Sequence, residues 1–215
     1  MAGRSLVLIG GRGPEDLSGL DTSIYRSIIA ADSGYDLAIS LGLEPDIVVG
    51  DLDSTEYSEV LRGSGMHVSS RDKDESDFEL ALMSLDEDED YDLLGGGEGR
   101  IDHTLSIFSS FIKFRPPRIW KTRVDYMVSF RAAYFHAPVG TEVSFFPARL
   151  GSRAAVDTYG LVWNLYEDSL SPSFMSLSNR FEDEDISIRS TDTLFARFDN
   201  AKLDFSALDV NIKLC

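Results

Sequence analysis

The sequence predicts an α/β N-terminal domain with a mostly parallel, wound sheet, followed by a C-terminal all-β sandwich. Three observations predict it. Short aliphatic and β-branched runs alternate with amphipathic helical stretches through the first half. The Pro116-Pro117 pair marks a change of pattern. Beyond Ala132, short apolar runs separated by turns replace the alternation, and no long helix follows. The domains are expected at 1–130 and 131–215.

The elements follow in order. Residues 6–9, Leu-Val-Leu-Ile, read as a first strand. The run is too short for a signal-peptide core and stops at Gly10-Gly11. Residues 27–31 form a second strand that ends at Asp32-Ser33-Gly34. A short helix spans 35–41, with Gly42 at its C′ position and Pro45 beyond. Ile47, Val48 and Val49 are the next strand, and 66–69 a further one. Ser76 opens a helix. Ser76 and Glu79 make a capping box, and Phe78, Ala81, Leu82 and Leu85 recur at helical spacing. Residues 92–94 are a strand before Gly95-Gly96-Gly97, and a longer helix follows with Ile101, Leu105, Phe108 and Ile112 on one face. Residues 124–128 read as the last strand of this domain. The C-terminal strands are expected at 133–136, 142–146, 162–165, 186–188 and 193–198.

Composition narrows the function classes. Of 215 residues, 43% are hydrophobic and 27% charged, the balance of an ordinary globular protein. No apolar run reaches the length of a membrane span, so no membrane role is expected. A net charge of −17 opposes nucleic-acid binding through a basic surface, and a polyanionic ligand would need metal ions beside it. Cys215 is the only cysteine, so no internal disulfide forms, which suits a reducing cytosol and a cytoplasmic location. The acidic runs at 86–90 and 182–185 read as solvated loops.

The stretch Asp46-Ile-Val-Val-Gly-Asp-Leu-Asp-Ser54 carries the most chemistry. A short strand ends in Gly50, and Asp51 and Asp53 follow at once. Ligands in open α/β sheets bind just outside the carboxyl ends of the strands. Paired carboxylates there hold hard cations such as Mg²⁺, which in turn accompany phosphates. An Asx turn is the alternative. Asp32 follows another strand, Asp77 sits in the first turn of a helix, and Asp102 starts the helix after the triple glycine. Taken singly, Asp77 and Asp102 complement helix dipoles and Asp32 forms a turn. Arg100 and Asp102 also suit a surface ion pair. Together, five acids around one crevice repel one another unless cations lie between them. Arg100 and Lys73 are placed to meet phosphate charge. His67, His103 and His136 lack zinc-ligand spacing and read as structural or surface residues. The 95–99 glycine run lacks the end of a P-loop and fails the dinucleotide fingerprint at Arg100.

The motifs together resemble thiamine pyrophosphokinase. Its pattern is matched in order by Ala31-Asp32-Ser33-Gly34, by Pro45-Asp46 through Ser54, by Lys73-Asp74-Glu75-Ser76-Asp77 and by Gly99-Arg100-Ile101-Asp102-His103. Residues 158–165 and 176–179 are similar to its thiamine-site segments. Ser33 stands where the family usually has glycine, and Asp36 where it often has Asn. The resemblance implies a homodimer with active sites at the interface. It also implies transfer of pyrophosphate from Mg-ATP to the hydroxyl of thiamine, giving thiamine diphosphate and AMP. By position, Asp51, Asp53 and Asp77 would hold Mg²⁺, and Arg100 and Asp102 would complete the catalytic set. Asp32, Ser33, Gly34, Lys73, Ser76, Gly96 and Gly97 would bind ATP. Trp163, Ser176, Ser178 and Asn179 would contact thiamine, the indole by stacking and cation–π attraction. Without the flanking match, Trp163 reads as sandwich core.

Three other readings stand beside it. Asp51-Leu-Asp-Ser-Thr55 resembles the loop of haloacid-dehalogenase-type phosphatases, with Asp51 as nucleophile and Asp53 as acid/base. A sister pyrophosphokinase would act on another heterocyclic alcohol. A non-catalytic module would bind Mg-nucleotide without turnover.

Overall fold

The computed structural model of the protein describes residues 3–64, 67–68 and 75–213. Lys73 and Cys215 lie outside the described residues, as do Met66 and Ser69 at the ends of the expected 66–69 strand. The chain divides into two compact units, Met1–Ser110 with Pro117–Val124, and Phe111–Pro116 with Asp125–Cys215.

In the first unit the strands are β1 (Arg4–Ile9), β2 (Tyr25–Ala31), β3 (Ile47–Val49), β4 (His67–Val68), β5 (Tyr91–Leu94) and β6 (Ile119–Lys121). They lie in the order β6-β5-β1-β2-β3-β4, and every pair is parallel. β1 is the central strand. Its Leu6, Val7 and Leu8 are fully buried, which explains an unbroken apolar run where an exposed face would require alternation. From β1 the chain steps outward to β4, then returns to β5 on the other side of β1. The order therefore reverses between β1 and β5, and ligands of open parallel sheets bind outside the carboxyl ends of strands near such a reversal.

The helices of this part of the chain are α1 (Gly34–Ser40), α2 (Ser58–Ser64), α3 (Asp77–Met83) and α4 (Ile101–Lys113). The capping box expected before α3 is formed. Ser76 Oγ accepts from the Glu79 N–H, and Glu79 Oε2 accepts from the Ser76 N–H. In α4 most of the expected apolar face is open, with Ile101 71%, Leu105 53% and Ile112 58% exposed, while Phe108 packs edge-on against Trp120, and Ile107 and Phe111 are buried. The buried stripe runs through 107 and 111, one helical turn apart, and is rotated away from the 101–105–112 stripe.

The second unit holds β7 (Asp125–His136), β8 (Glu142–Pro147), β9 (Ala154–Tyr159), β10 (Asp168–Leu170), β11 (Ser176–Arg180), β12 (Asp185–Asp199) and β13 (Asp209–Lys213), all paired antiparallel. β12 runs along β7 for most of its length, with an irregularity between Arg189 and Leu194. On its other side the first half bonds β9 and the second half bonds β8. A 15-residue strand is long enough to change partners midway, and the irregularity supplies the bend. Phe130, Phe135, Phe145, Phe181, Phe195 and Phe198 fill the interior, with edge-on or tilted ring pairs such as Phe130–Phe135 at 5.3 Å.

The expected fold class is thereby corrected. Among the described residues the chain is mostly β, thirteen strands against four α-helices, with parallel pairing in one unit and antiparallel in the other. It is not an α/β wound domain joined to a separate β-sandwich. α1, α2 and α3 have only seven residues each, so helix contributes less than the alternating pattern suggests. The strands of the second unit form one hydrogen-bonded network, because β12 links β7, β8 and β9. Residues expected as a strand at 124–128 open the much longer β7, and the expected strand at 162–165 is a turn. The strands expected at 186–188 and 193–198 are two halves of β12.

Phe135→Ala should destabilise the protein by about 3–5 kcal/mol, the cost of a core aromatic truncation. Val60→Ala, at an exposed site, should stay within about 0.5 kcal/mol of the parent. Urea unfolding followed by circular dichroism separates the two.

Candidate active site

The loops after β1, β2, β3 and β5 and the first turns of α3 and α4 surround a cleft of about 550 Å³ in the first unit. Its walls include Gly10 and Gly11 after β1, Asp32 and Ser33 after β2, Asp53 and Ser54 after β3, and Gly96 and Gly97 after β5. Ser76 and Asp77 come from the start of α3, Arg100 from just before α4, and His103 and Thr104 from α4.

Local geometry aims the acids. Asp32 has φ 48°, a left-handed conformation that Asp tolerates better than most residues. Its N–H donates to the Val49 carbonyl at 2.8 Å, tying the end of β2 to the end of β3. Gly50 has φ 116°, and a Cβ there would stand 2.9 Å from Asp77 Oδ1. A side chain at 50 would therefore push into the acid cluster as well as strain the backbone. Leu52 also has positive φ, 63°, and is 1% exposed, packed with Ala30, Val48 and Leu61. Turning Leu52 inward leaves the flanking Asp51 and Asp53 at the surface of the turn. The Asp53 N–H donates to Asp51 Oδ1 (3.2 Å), and Ser54 Oγ donates to Asp53 Oδ1 (2.7 Å).

Asp32, Asp51 and Asp53 each bring a carboxylate oxygen within 4.8 Å of the others. Asp77 feels all three. Burial, and then repulsion from Asp32, Asp51 and Asp53, pushes its pKa up to about 6. Burial also raises Asp32, opposed by hydrogen bonds from Ser54. The cluster is all carboxylate, with no sulfur or imidazole among its members, which suits a hard divalent cation.

Asp102 stands apart from this group. It is exposed and receives two hydrogen bonds from Arg100, at 3.2 and 2.5 Å, which hold its carboxyl below the usual range. Four of the five expected acids converge, and the fifth is paired with a cation that lines the cleft.

The other predicted residues fall as follows. Ser33, Ser76, Gly96 and Gly97 line the cleft. The Ser76 hydroxyl is engaged in its capping box. Gly34 is not at the wall. A Cβ there would lie 2.2 Å from the Leu8 carbonyl, so the missing side chain lets α1 start hard against β1. Asp36 accepts from the Glu56 N–H at 3.0 Å and braces the end of the acidic turn. The sequence reading missed Gly10, Gly11 and His103 as cleft residues. Arg100, His103, Thr104 and Ile107 follow i, i+3, i+4, i+7, a helical stripe that the residue types at those positions disguise.

In the second unit Trp163, Ser176, Ser178 and Asn179 are neighbours. Asn179 is 1% exposed and its amide is spent on the chain. Oδ1 accepts from the Trp163 N–H (3.2 Å), and Nδ2 donates to the Trp163 carbonyl (2.8 Å) and to Ser176 Oγ (3.2 Å). Ser178, at φ 52°, sits where the pairing of β11 with β8 breaks register, and its N–H donates to Ser144 Oγ at 3.0 Å. The indole of Trp163 is left 56% exposed on a fixed turn. It is not core.

Residues 22–121 match the family model described as thiamin pyrophosphokinase, catalytic domain. No curated protein matches the chain. Among solved structures, the chain is similar to a thiamin pyrophosphokinase from Geobacillus thermodenitrificans, with TM-score 0.70 and 19% identity over 94% of this chain and 99% of that one. It is similar to a thiamine pyrophosphokinase from Bacillus subtilis, with TM-score 0.68 and 20% identity over 91% and 98%. Yeast thiamin pyrophosphokinase gives TM-score 0.66 and 14% identity over 96% and 88%. At these identities the likeness shows a shared fold.

Asn179→Ala should cost about 1–3 kcal/mol, because it strands the Trp163 backbone groups it now satisfies. Urea unfolding of this variant beside Ser178→Ala, expected within about 0.5 kcal/mol, checks it.

Proposed function

We propose, from the match of residues 22–121 to the thiamin pyrophosphokinase catalytic-domain model, that the chain transfers pyrophosphate from Mg-ATP to the hydroxyl of thiamine. The observation that carries the reading is the convergence of Asp32, Asp51, Asp53 and Asp77 at the carboxyl ends of parallel strands, where Asp32, Asp53 and Asp77 line one cleft. A net charge of −17 and four clustered acids make an uncompensated polyphosphate unwelcome, so a cation belongs to the reading.

Asp51, Asp53 and Asp77 would hold Mg²⁺, with the Asp32 carboxylate beside them. When bound, the ion neutralises phosphate charge and helps orient the transferring group. Ser33, Gly96, Gly97 and Ser76 would shape the ATP side of the cleft. Arg100 would exchange its bond with Asp102 for phosphate oxygens, a bidentate partner of higher charge. The thiamine oxygen attacks the β-phosphorus in line. The bond from that phosphorus to the bridging oxygen breaks, AMP leaves, and a carboxylate, Asp77 in the cleft or Asp102 beside Arg100, accepts the hydroxyl proton. Trp163 would stack on thiamine, with Ser176 and Ser178 beside it and Asn179 holding its turn. The reading includes a cytoplasmic homodimer. Tyr159, Tyr166 and Leu177 are exposed on the unit that carries Trp163, which supports a face covered by a second protomer.

Incubation with ATP, Mg²⁺ and thiamine should yield thiamine diphosphate and AMP in equal amounts by chromatography. ADP as the product, or inorganic phosphate with a trappable aspartyl phosphate, would sink the proposal.

The raised Asp77 predicts a pH signature. A carboxyl whose pKa is higher folded than unfolded favours folding when protonated, and that stability is lost as pH rises from about 4 through about 6. A divalent cation offsets the repulsion that appears in this window. The Mg²⁺-induced rise in Tm should therefore be larger at pH 7.5 than at pH 5, and Asp77→Asn should flatten the difference. Thermal scans with Mg²⁺ or chelator read it.

A further inference from the structure

Lys121 ends β6 with its side chain 1% exposed. Its ammonium donates to the carbonyls of Asp16 (3.1 Å) and Ser18 (2.7 Å) and to Asp16 Oδ1 (3.0 Å). A lysine ammonium has three donors, and burial is tolerated when each finds an acceptor. The Asp16 side chain is largely exposed, so the two carbonyls do most of the holding. The Lys121 backbone meanwhile accepts from the Gly95 N–H at 3.1 Å. The same lysine thus grips the loop after β1 with its side chain and the loop after β5 with its carbonyl.

Those two loops are joined to each other. The Gly96 N–H donates to the Gly10 carbonyl at 2.9 Å, and the Arg12 N–H donates to the Gly97 carbonyl at 3.1 Å. Gly10, Gly11, Gly96 and Gly97 line the cleft, and Lys121 does not. The glycines contribute no side chains to lock the wall, and their backbone is intrinsically the most mobile. Among the described residues, two backbone bonds and the Arg12–Glu98 ion pair join this loop to residues 96–98, and its far end is held by Lys121 together with the packing of Leu17 and Leu20.

We propose that Lys121 is a positioning residue for the glycine wall of the cleft: by pinning Asp16 and Ser18 it keeps Gly10–Arg12 seated on Gly96–Gly97 and so sets the surface against which the nucleotide binds. The nucleotide part rests on the function proposed above. Removing the ammonium frees the loop without touching a reacting atom. The expected signature is weaker ATP binding with little change in the chemical step.

The test uses the full chain. Hydrogen exchange is measured across residues 10–18 without nucleotide, ATP binding by calorimetry without thiamine, and then steady-state kinetics. Lys121→Met should speed exchange in 10–18 by about tenfold while 5–9 in β1 stays protected. It should raise the KM for ATP about tenfold and leave kcat and the thiamine KM within about twofold. Asp16→Lys, at an exposed position, sets a like charge against Nζ and should move the same quantities if Lys121→Met does not fold. Unchanged exchange, or faster exchange with an unchanged ATP KM, overturns the proposal. Exchange is read without nucleotide, so a wild-type chain that binds no ATP would overturn the proposed function while the clamp is judged separately.

Discussion

Leu52 is buried at a left-handed backbone angle, and the acidic cleft depends on that arrangement. A residue with a Cβ in this conformation costs about 1–2 kcal/mol. Burying a leucine side chain contributes about 1.5–3 kcal/mol. Packing among Ala30, Val48 and Leu61 is therefore enough to hold the turn against its own strain. With Leu52 turned inward, Asp51 and Asp53 stand on either side of it, within reach of Asp32. Gly50 completes the device, since its missing side chain lets Asp77 approach. An apolar anchor thus determines where the charges go.

The charges then set the chemistry. Four carboxylates converge, and the cost is visible in Asp77, raised to about 6, and in Asp32, raised chiefly by burial. Hydrogen bonds from Ser54 relieve part of it. Asp102 solves the same problem differently, by pairing with Arg100. A cleft arranged this way would gain stability from a hard cation, and such a cation would make an anionic ligand acceptable to a chain of net charge −17.

The second unit divides its labour between fixed and open groups. Asn179 satisfies both backbone groups of Trp163 and leaves the indole exposed. A rigid turn beneath a free aromatic face suits recognition, because little side-chain freedom is lost when a flat ligand stacks on it. The adjacent irregularity at Ser178 breaks the β11–β8 register where the turn needs room. The open indole removes the reading of Trp163 as buried core.

What neighbouring residues dictate was legible in the sequence: the Gly50–Ser54 turn, the Ser76–Glu79 capping box, the strand ends at Asp32 and Leu94, and the order of the motifs matched by the family model over 22–121. Each depends on interactions within a few positions along the chain. The fold class was not legible. Strand signals at 186–188 and 193–198 look like two elements until β7, some sixty residues earlier, pairs with both. The sequence offered the Arg100–Asp102 ion pair as one reading but could not choose it over a place among the other acids, since Asp77 and Asp102 are both acids in the first turn of a helix. The inward turn of Leu52, the clamp made by Lys121 and the cleft position of His103 likewise wait on partners far away in sequence. The sequence by itself determined the turn chemistry, the caps and the acidic residue types. Tertiary structure alone decided strand partnership, burial and which charges face each other, because those energies arise between residues that only folding brings together.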